Sequence, residues 1–332
     1  MLISVIVPVY QAAATLEESV DSLTALPGEY AGSVEVILVD DGSTDGSGEL
    51  SERIAARSEC VKVIHQENKG VAQARNAGMA QAVGKYLMFM DADDRFISDQ
   101  WKTVITSAEK GTDFVAFSYY SLFTDGKLAE EPFPEEVDGS ADDSRFMETL
   151  LGTPLLHTCW GKLFRADIVR QHKVSFPSGV AVGEDYIFVM EYCKYISTVR
   201  LSNIPVLQYL QNPAGAMRSF HLKKRMDCLA ILWRYCTEYT ADPARSKYSE
   251  TMCLYQFFSM LTIIRSLVSS VRGGERRRLT GELLRTPVVK DIVAHVPTDK
   301  LSLYRRFEYT IVKHQMTLLT VGYFSIKQSL MK

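Results

Sequence analysis

Five short apolar runs recur through the first 120 residues: "ISVIVPVY" from Ile3, "VEVILVD" from Val34, "VKVIHQ" from Val61, "KYLMFMD" from Lys85 and "DFVAFSYY" from Asp113. Runs this short, rich in β-branched and aromatic residues, read as strands buried on both faces. The segments between them carry helical patterns. Residues 12–26 place Leu16, Val20 and Leu23 at helical spacing, and a second helix is expected from about Ser43 or Thr44. The Ala-rich "GVAQARNAGMAQAVG" is closed by Gly84, and residues 99–110 complete the series. Repeated β–α units of this length predict an α/β fold with a mainly parallel, Rossmann-like sheet flanked by helices.

Further along, residues 125–143 are acidic and bear Pro and Gly, so a loop is expected there. "GEDYIFVMEYCKYI" reads as a helix, and "STVRL" and "PVLQYL" as two short strands. From about His221 onward the pattern is helical, with "RGGERRR" (272–278) read as a basic turn. The composition shift divides the chain into an α/β domain over 1–220 and a helical C-terminal region over 221–332. Residues 253–271 are apolar but contain Gln256 and Arg265, which suits a packed helix better than a membrane span. The first ten residues lack the basic n-region of a signal peptide, and Pro8 interrupts their short apolar run.

A net charge of −3 offers no electrostatic reason to expect nucleic acid as a partner. The six cysteines form no CxxC pair, which argues against a zinc ribbon or a disulfide framework. They fit a reducing compartment, so a cytoplasmic location is expected.

Chemistry collects at the strand ends. Pro8 and Tyr10 close the first strand, Asp40 and Asp41 the second, and Asp91, Asp93 and Asp94 the fourth. In a parallel sheet these ends share the edge where open α/β sheets bind ligands. Two carboxylates ~4 Å apart repel by about 4 kcal/mol at an effective dielectric near 20. The acidic run is therefore either a solvated turn that caps the next helix or a place for a cation. Asp41 has its own plain alternative, a helix cap.

Five segments in order resemble family 2 glycosyltransferases: the "ISVIVPVY" start, "VILVDDGSTDGS", "NKGVAQARNAG", "YLMFMDADD" and "GEDYIF". The resemblance covers roughly residues 2–210. It implies a GT-A fold, a nucleotide-sugar donor (a UDP-sugar being commonest) and inverting transfer to a hydroxyl of a saccharide or lipid-linked saccharide in cell-surface polysaccharide synthesis. By the same resemblance Pro8, Tyr10 and Asp41 hold the nucleobase. Asp91 and Asp93 form the DxD element, one on the ribose or metal and the other on Mn2+ or Mg2+ bridging the diphosphate. Asp94 either shares the metal or caps a helix. Asp185 is the implied general base, with Glu184 as its fallback.

Other residues keep two readings. Arg75, with Asn76 beside it, contacts the donor phosphate or anchors an acidic residue. Trp160 stacks on an acceptor sugar or belongs to the core, and Lys162 serves the acceptor or is a surface charge. Arg276 to Arg278 and Arg305 to Arg306 are solvated, or meet anionic lipid as a peripheral contact at the inner face of a membrane. A decayed, merely nucleotide-binding or scaffolding relative is the alternative function, opposed by the intact Asp41, DxD and ED pair. A dehalogenase-type phosphotransferase would need DxDx[TV] near the N-terminus, and a dinucleotide oxidoreductase GxGxxG after the first strand; neither is present.

Overall fold

The computed structural model describes residues 1–180, 183–211 and 222–330. Its centre is a ten-stranded sheet: β1 (Ile3–Val9), β2 (Val34–Asp40), β3 (Val61–His65), β4 (Tyr86–Phe89), β5 (Arg95–Phe96), β6 (Phe114–Leu122), β7 (Leu128–Glu131), β8 (Val137–Ser140), β9 (Lys162–Arg165) and β10 (Thr198–Leu210). The spatial order is β3-β2-β1-β4-β9-β6-β10-β5, with β7 on β6 and β8 on β10.

The first four strands are parallel, and β6 and β10 are parallel to each other. Between these groups β9 runs antiparallel to both β4 and β6. The sheet is thus mixed, more so than the sequence pattern suggests. Pro8 is tolerated because β4 pairs with β1 only from Ile3 to Ile6, so the missing N–H leaves no ladder position empty on that side.

Among the described residues seven α-helices accompany the sheet: α1 (Leu16–Thr24), α2 (Ser47–Arg57), α3 (Val71–Gln81), α4 (Trp101–Glu109), α5 (Ser144–Gly152), α6 (Ala166–Gln171) and α7 (Glu184–Tyr192). Alternate residues of β1 serve opposite faces. Val5, Val7 and Val9 join Leu16 and Val20 of α1, Leu50 of α2 and Trp101 of α4 in one core. Ile6 faces α3, which approaches so closely that a Cβ on Gly78 would lie 2.5 Å from Ile6 Cγ2. On this second face Phe89, Phe164, Phe176 and Phe188 pack ring against ring.

The chain divides into two compact units, the first holding the sheet and the second the helices from Leu222 on. The boundary expected at 220–221 lies outside the described residues. The second unit contains α8 (Leu222–Thr240), α9 (Ser249–Ser270), α10 (Gly273–Leu284), α11 (Pro287–His295), α12 (Leu303–Lys313) and α13 (Thr317–Leu330). By length and composition the segment Ser246–Ser270, which contains α9, could cross a membrane, yet it is the core helix of this unit, with Phe257, Met260, Ile264 and Leu267 fully buried. Burial alone would raise the Glu308 carboxyl, but Arg305 at 2.6 Å and Lys327 at 3.0 Å hold it below its ordinary value.

Four local expectations need correction. The second helix starts at Ser47 rather than Ser43 or Thr44, because Asp40 and Asp45 hold the intervening turn through the backbone N–H groups of Ser43 and Ser47. The 125–143 segment contains β7 and β8, paired on β6 and β10. "STVRL" and "PVLQYL" are one strand, irregular at Pro205. Most of "RGGERRR" lies in the first turns of α10.

Candidate active site

The carboxyl ends of β1, β2 and β4 bring three loops to one edge. The loop after β1 is stitched to the loop after β2: Gln11 N donates to Ser43 Oγ at 3.2 Å, Ala12 N to Ser47 Oγ at 2.8 Å and Ala13 N to Asp45 Oδ2 at 3.0 Å. Thr15 precedes α1 but does not cap it. Its hydroxyl donates to the Ala92 carbonyl at 2.9 Å, tying the first loop to the DxD turn. Tyr10 is exposed on this edge.

Asp41 is buried, and it does not cap α2, whose N-cap is Gly46. Its Oδ1 accepts from Gln66 Nε2 at 2.6 Å and Lys69 N at 2.9 Å, and its Oδ2 from Gly70 N at 2.8 Å. Gly70 sits at φ 86°, where a side chain would be strained, as the chain turns into α3. A carboxylate offers about four lone-pair positions. The loop takes three of them, which leaves one unused among the described residues.

Arg75 is the hub of the edge. Its side chain is 4% exposed. Nη2 donates to Asp91 Oδ1 at 2.8 Å, and Nη1 to Asp185 Oδ1 at 2.6 Å and Glu184 Oε1 at 3.4 Å. Its guanidinium lies over the Phe176 ring, 5.4 Å from the centroid. Burial disfavours its charge, but Asp185, Asp91 and Glu184 hold it charged, well above its ordinary value. The residues it joins are far apart in sequence: the end of β4 on one side and the start of α7 on the other.

The acids outnumber this one cation. Burial, then repulsion from Asp91, pushes the Asp93 carboxyl up. Asp94 is buried and pushed up further by the same two causes. It caps no helix. Its Oδ1 accepts from Leu210 N at 2.9 Å, and its Oδ2 is buried without a partner among the described residues. Burial also raises Asp185, against the opposing pull of Arg75, and raises Glu184, where Asp185 adds repulsion. The side chain of Asp185 remains 17% exposed, so it can still be reached. Among the described residues no three His, Cys, Asp or Glu side chains already converge on one point as a metal site.

Residues 4–168 match the family model described as glycosyl transferase family 2. A Bacillus subtilis (strain 168) protein named as a glycosyltransferase, EpsH, is 30% identical over 321 residues, which span 95% of this chain and 92% of EpsH. The chain belongs to glycosyl transferase family 2. A second B. subtilis protein named as a glycosyltransferase, EpsJ, is 25% identical over 97% of this chain and 95% of its own length. The crystal structure of S. aureus TarS 1–349 in complex with UDP-GlcNAc matches with a TM-score of 0.74 at 18% identity, over 99% of this chain and 92% of that one. The likeness shows a shared GT-A type fold, α/β with a helical C-terminal region.

In this family 2 glycosyltransferase three residues expected at the donor or acceptor have structural tasks instead. Asn76 clamps a neighbouring segment, its Nδ2 donating to the Phe176 carbonyl and its Oδ1 accepting from Phe176 N, both at 2.9 Å. Both ends of its amide are therefore engaged by the Phe176 backbone. Trp160 is buried and stacked on Tyr209 with ring centroids 5.2 Å apart, so the core reading holds and its face is not open to a sugar. Lys162 is neither a surface charge nor an acceptor contact. It lies buried in β9, its ammonium donating to Leu155 O, Thr158 Oγ1 and Trp160 O, with burial pushing it down to about 8. Sequence reasoning missed Thr15, which resembles an ordinary N-cap, and the tie from Asp94 to β10, which no local pattern signals.

Proposed function

We propose that this glycosyltransferase moves a sugar from a UDP-sugar to a saccharide hydroxyl, with inversion, in the cytoplasm, during cell-surface polysaccharide synthesis. The observation that carries the reading is one edge holding the acidic end of β4 and, across Arg75, the half-buried Asp185. The TarS structures in complex with UDP-GlcNAc and with UDP support the choice of donor.

The acidic edge fits a hard divalent cation. Asp94 Oδ2 has no partner among the described residues, and Asp93 is pushed towards its neutral form by burial and by Asp91. Both features mark an excess of negative charge that Arg75 does not cancel. Asp93 and Asp91 would hold Mn2+ or Mg2+, a cation commonly bound through one or two carboxylates plus substrate phosphates. When bound it would neutralise the diphosphate leaving group.

The protein's own residues do the rest. Asp41 holds the loop at Lys69 and Gly70 and offers its remaining lone pair to a ring N–H of the base. Pro8 and Tyr10 flank that position at the end of β1. Asp185 takes the proton from the acceptor hydroxyl as the oxygen attacks the anomeric carbon. The sugar–phosphate bond breaks in the same displacement, and the nucleoside diphosphate leaves. A base is most effective with a pKa near the working pH, and burial moves Asp185 in that direction.

Thermal shift with a panel of UDP-, GDP- and dTDP-sugars, each with Mn2+, tests the donor, because a ligand bound only by the folded state raises the apparent Tm. UDP-sugars should raise it most. Asp41→Ala should reduce that rise, since it removes both the base contact and the acceptor of the loop's donors. Stabilisation by GDP- or dTDP-sugars alone would overturn the choice of base. A full UDP response in the variant would remove Asp41 from nucleotide binding.

A further inference from the structure

Among the described residues of the helical unit, α12 and α13 expose an apolar surface. On α12, Leu303 is 86% exposed, and Tyr304 and Phe307 are also exposed. On α13, Leu319, Tyr323 and Ile326 fall at i, i+4 and i+7, on one helix face. Leu319 and Ile326 are exposed, Ile326 by 65%. The two helices present these residues together, since the Phe307 and Tyr304 rings lie 5.2 and 6.0 Å from the Tyr323 ring. A contiguous exposed patch of large apolar residues marks an interaction surface.

Cations lie beside it. Lys327 sits over the Tyr304 ring at 4.5 Å and is shared with Glu308. From α10, Arg276 Nη1 reaches Ser325 Oγ, beside Ile326, at 3.3 Å. The charge imbalance extends over the whole segment. Residues 271–332 hold twelve Lys and Arg against five Asp and Glu, a net +7, which leaves −10 on residues 1–270 of a chain with net −3.

We propose that α12 and α13 dock this enzyme on an anionic lipid bilayer. Leu303, Phe307, Leu319 and Ile326 would enter the acyl boundary, Tyr304 and Tyr323 would lie at the headgroup level, and the surrounding Lys and Arg would meet lipid phosphates. Amphipathic helices with Leu or Phe on one side and cations on the other bind interfaces in this way, and tyrosines favour the headgroup region. A second copy of the chain fits less well, because a self-complementary interface would set the same basic surface against itself. A soluble polyanion would use the cations but leave the apolar side chains in water. The inference is independent of donor identity. It gives the enzyme a fixed place at a membrane, where a lipid-linked acceptor is presented.

Sedimentation of the full chain with phosphatidylcholine vesicles, with and without phosphatidylglycerol, tests it, with a thermal melt of every variant as the folding control. The wild-type chain should partition onto phosphatidylglycerol-containing vesicles and only weakly onto pure phosphatidylcholine. Leu303→Ser with Ile326→Ser should weaken partitioning at least about tenfold, since burying one such side chain is worth about 1.5–3 kcal/mol. Arg276→Gln with Lys327→Gln should weaken it about fivefold per cation and abolish the lipid preference, at about 1 kcal/mol for each Lys or Arg near the surface. The proposal is overturned if the wild-type chain stays in the supernatant, or if folded variants sediment as it does. It is also overturned if the chain is a dimer that the Leu303→Ser, Ile326→Ser pair dissociates while vesicles go unbound, which would assign the patch to a second copy.

Discussion

Asp185→Asn should slow sugar transfer by about 10²–10⁴-fold, the usual contribution of a general base, while leaving the fold and donor affinity nearly unchanged. The asparagine oxygen can still accept from Arg75 Nη1, which now lies 2.6 Å from Asp185 Oδ1, so the buried guanidinium keeps its partners. What the substitution removes is the ability to take a proton. Glu184→Gln is the control, because Glu184 stands farther from Arg75, at 3.4 Å, and should cost less. Single-turnover transfer beside calorimetric donor titration separates the two effects. Near-normal transfer by Asp185→Asn with loss in Glu184→Gln would move the base to Glu184. Normal transfer by both would leave α7 with a pair of N-terminal acids and no catalytic role.

Arg75→Met should be the most damaging single change to the structure of the edge. It strands Asp91, Asp185 and Glu184 around a buried position, and breaking a buried ion pair typically costs about 3–5 kcal/mol. Urea denaturation would register that loss as a lower midpoint. A second readout separates structure from chemistry. As the proposed base, Asp185 would act only when deprotonated, so transfer should fall as pH drops through its pKa. Burial raises that pKa and Arg75 pulls it back. Removing Arg75 should therefore move the acid limb of the pH–rate profile to higher pH, and Arg75→Lys should restore part of both effects. Unchanged stability together with an unchanged acid limb would show that Arg75 does not tie the two halves of the site.

The strand ends were legible in the sequence because each parallel strand is a nearly unbroken apolar run, and a change to Asp or Tyr at its end stands out. That placed Asp41, Asp91 and Asp93 at strand ends, whereas the GED segment, at the start of α7, stood out only through the family resemblance. The antiparallel strand β9 was not legible. "KLFR" is four residues long, and its place between β4 and β6 is set by long-range pairing rather than by periodicity. Pro205 divided β10 into two readings because a proline normally ends a strand, whereas here the irregularity absorbs it. The two glycines at the head of α10 looked like a turn for the same local reason. Asn76, Trp160 and Lys162 are residue types common in sugar sites, and only the folded contacts reveal that their polar atoms or ring faces are already engaged. The Arg75–Asp185 tie spans 110 positions in sequence, beyond the reach of any local pattern.

The central claim is that the acidic end of β4 receives a divalent cation together with a nucleoside diphosphate. Calorimetric titration of UDP, in Mn2+ and again in EDTA, tests it on the wild-type chain and on Asp93→Ala. Mn2+ should tighten UDP binding to the wild type by at least about tenfold, roughly 1.4 kcal/mol, and Asp93→Ala should erase that gain while remaining folded. Equal UDP affinity of the wild-type chain in Mn2+ and in EDTA would contradict the account.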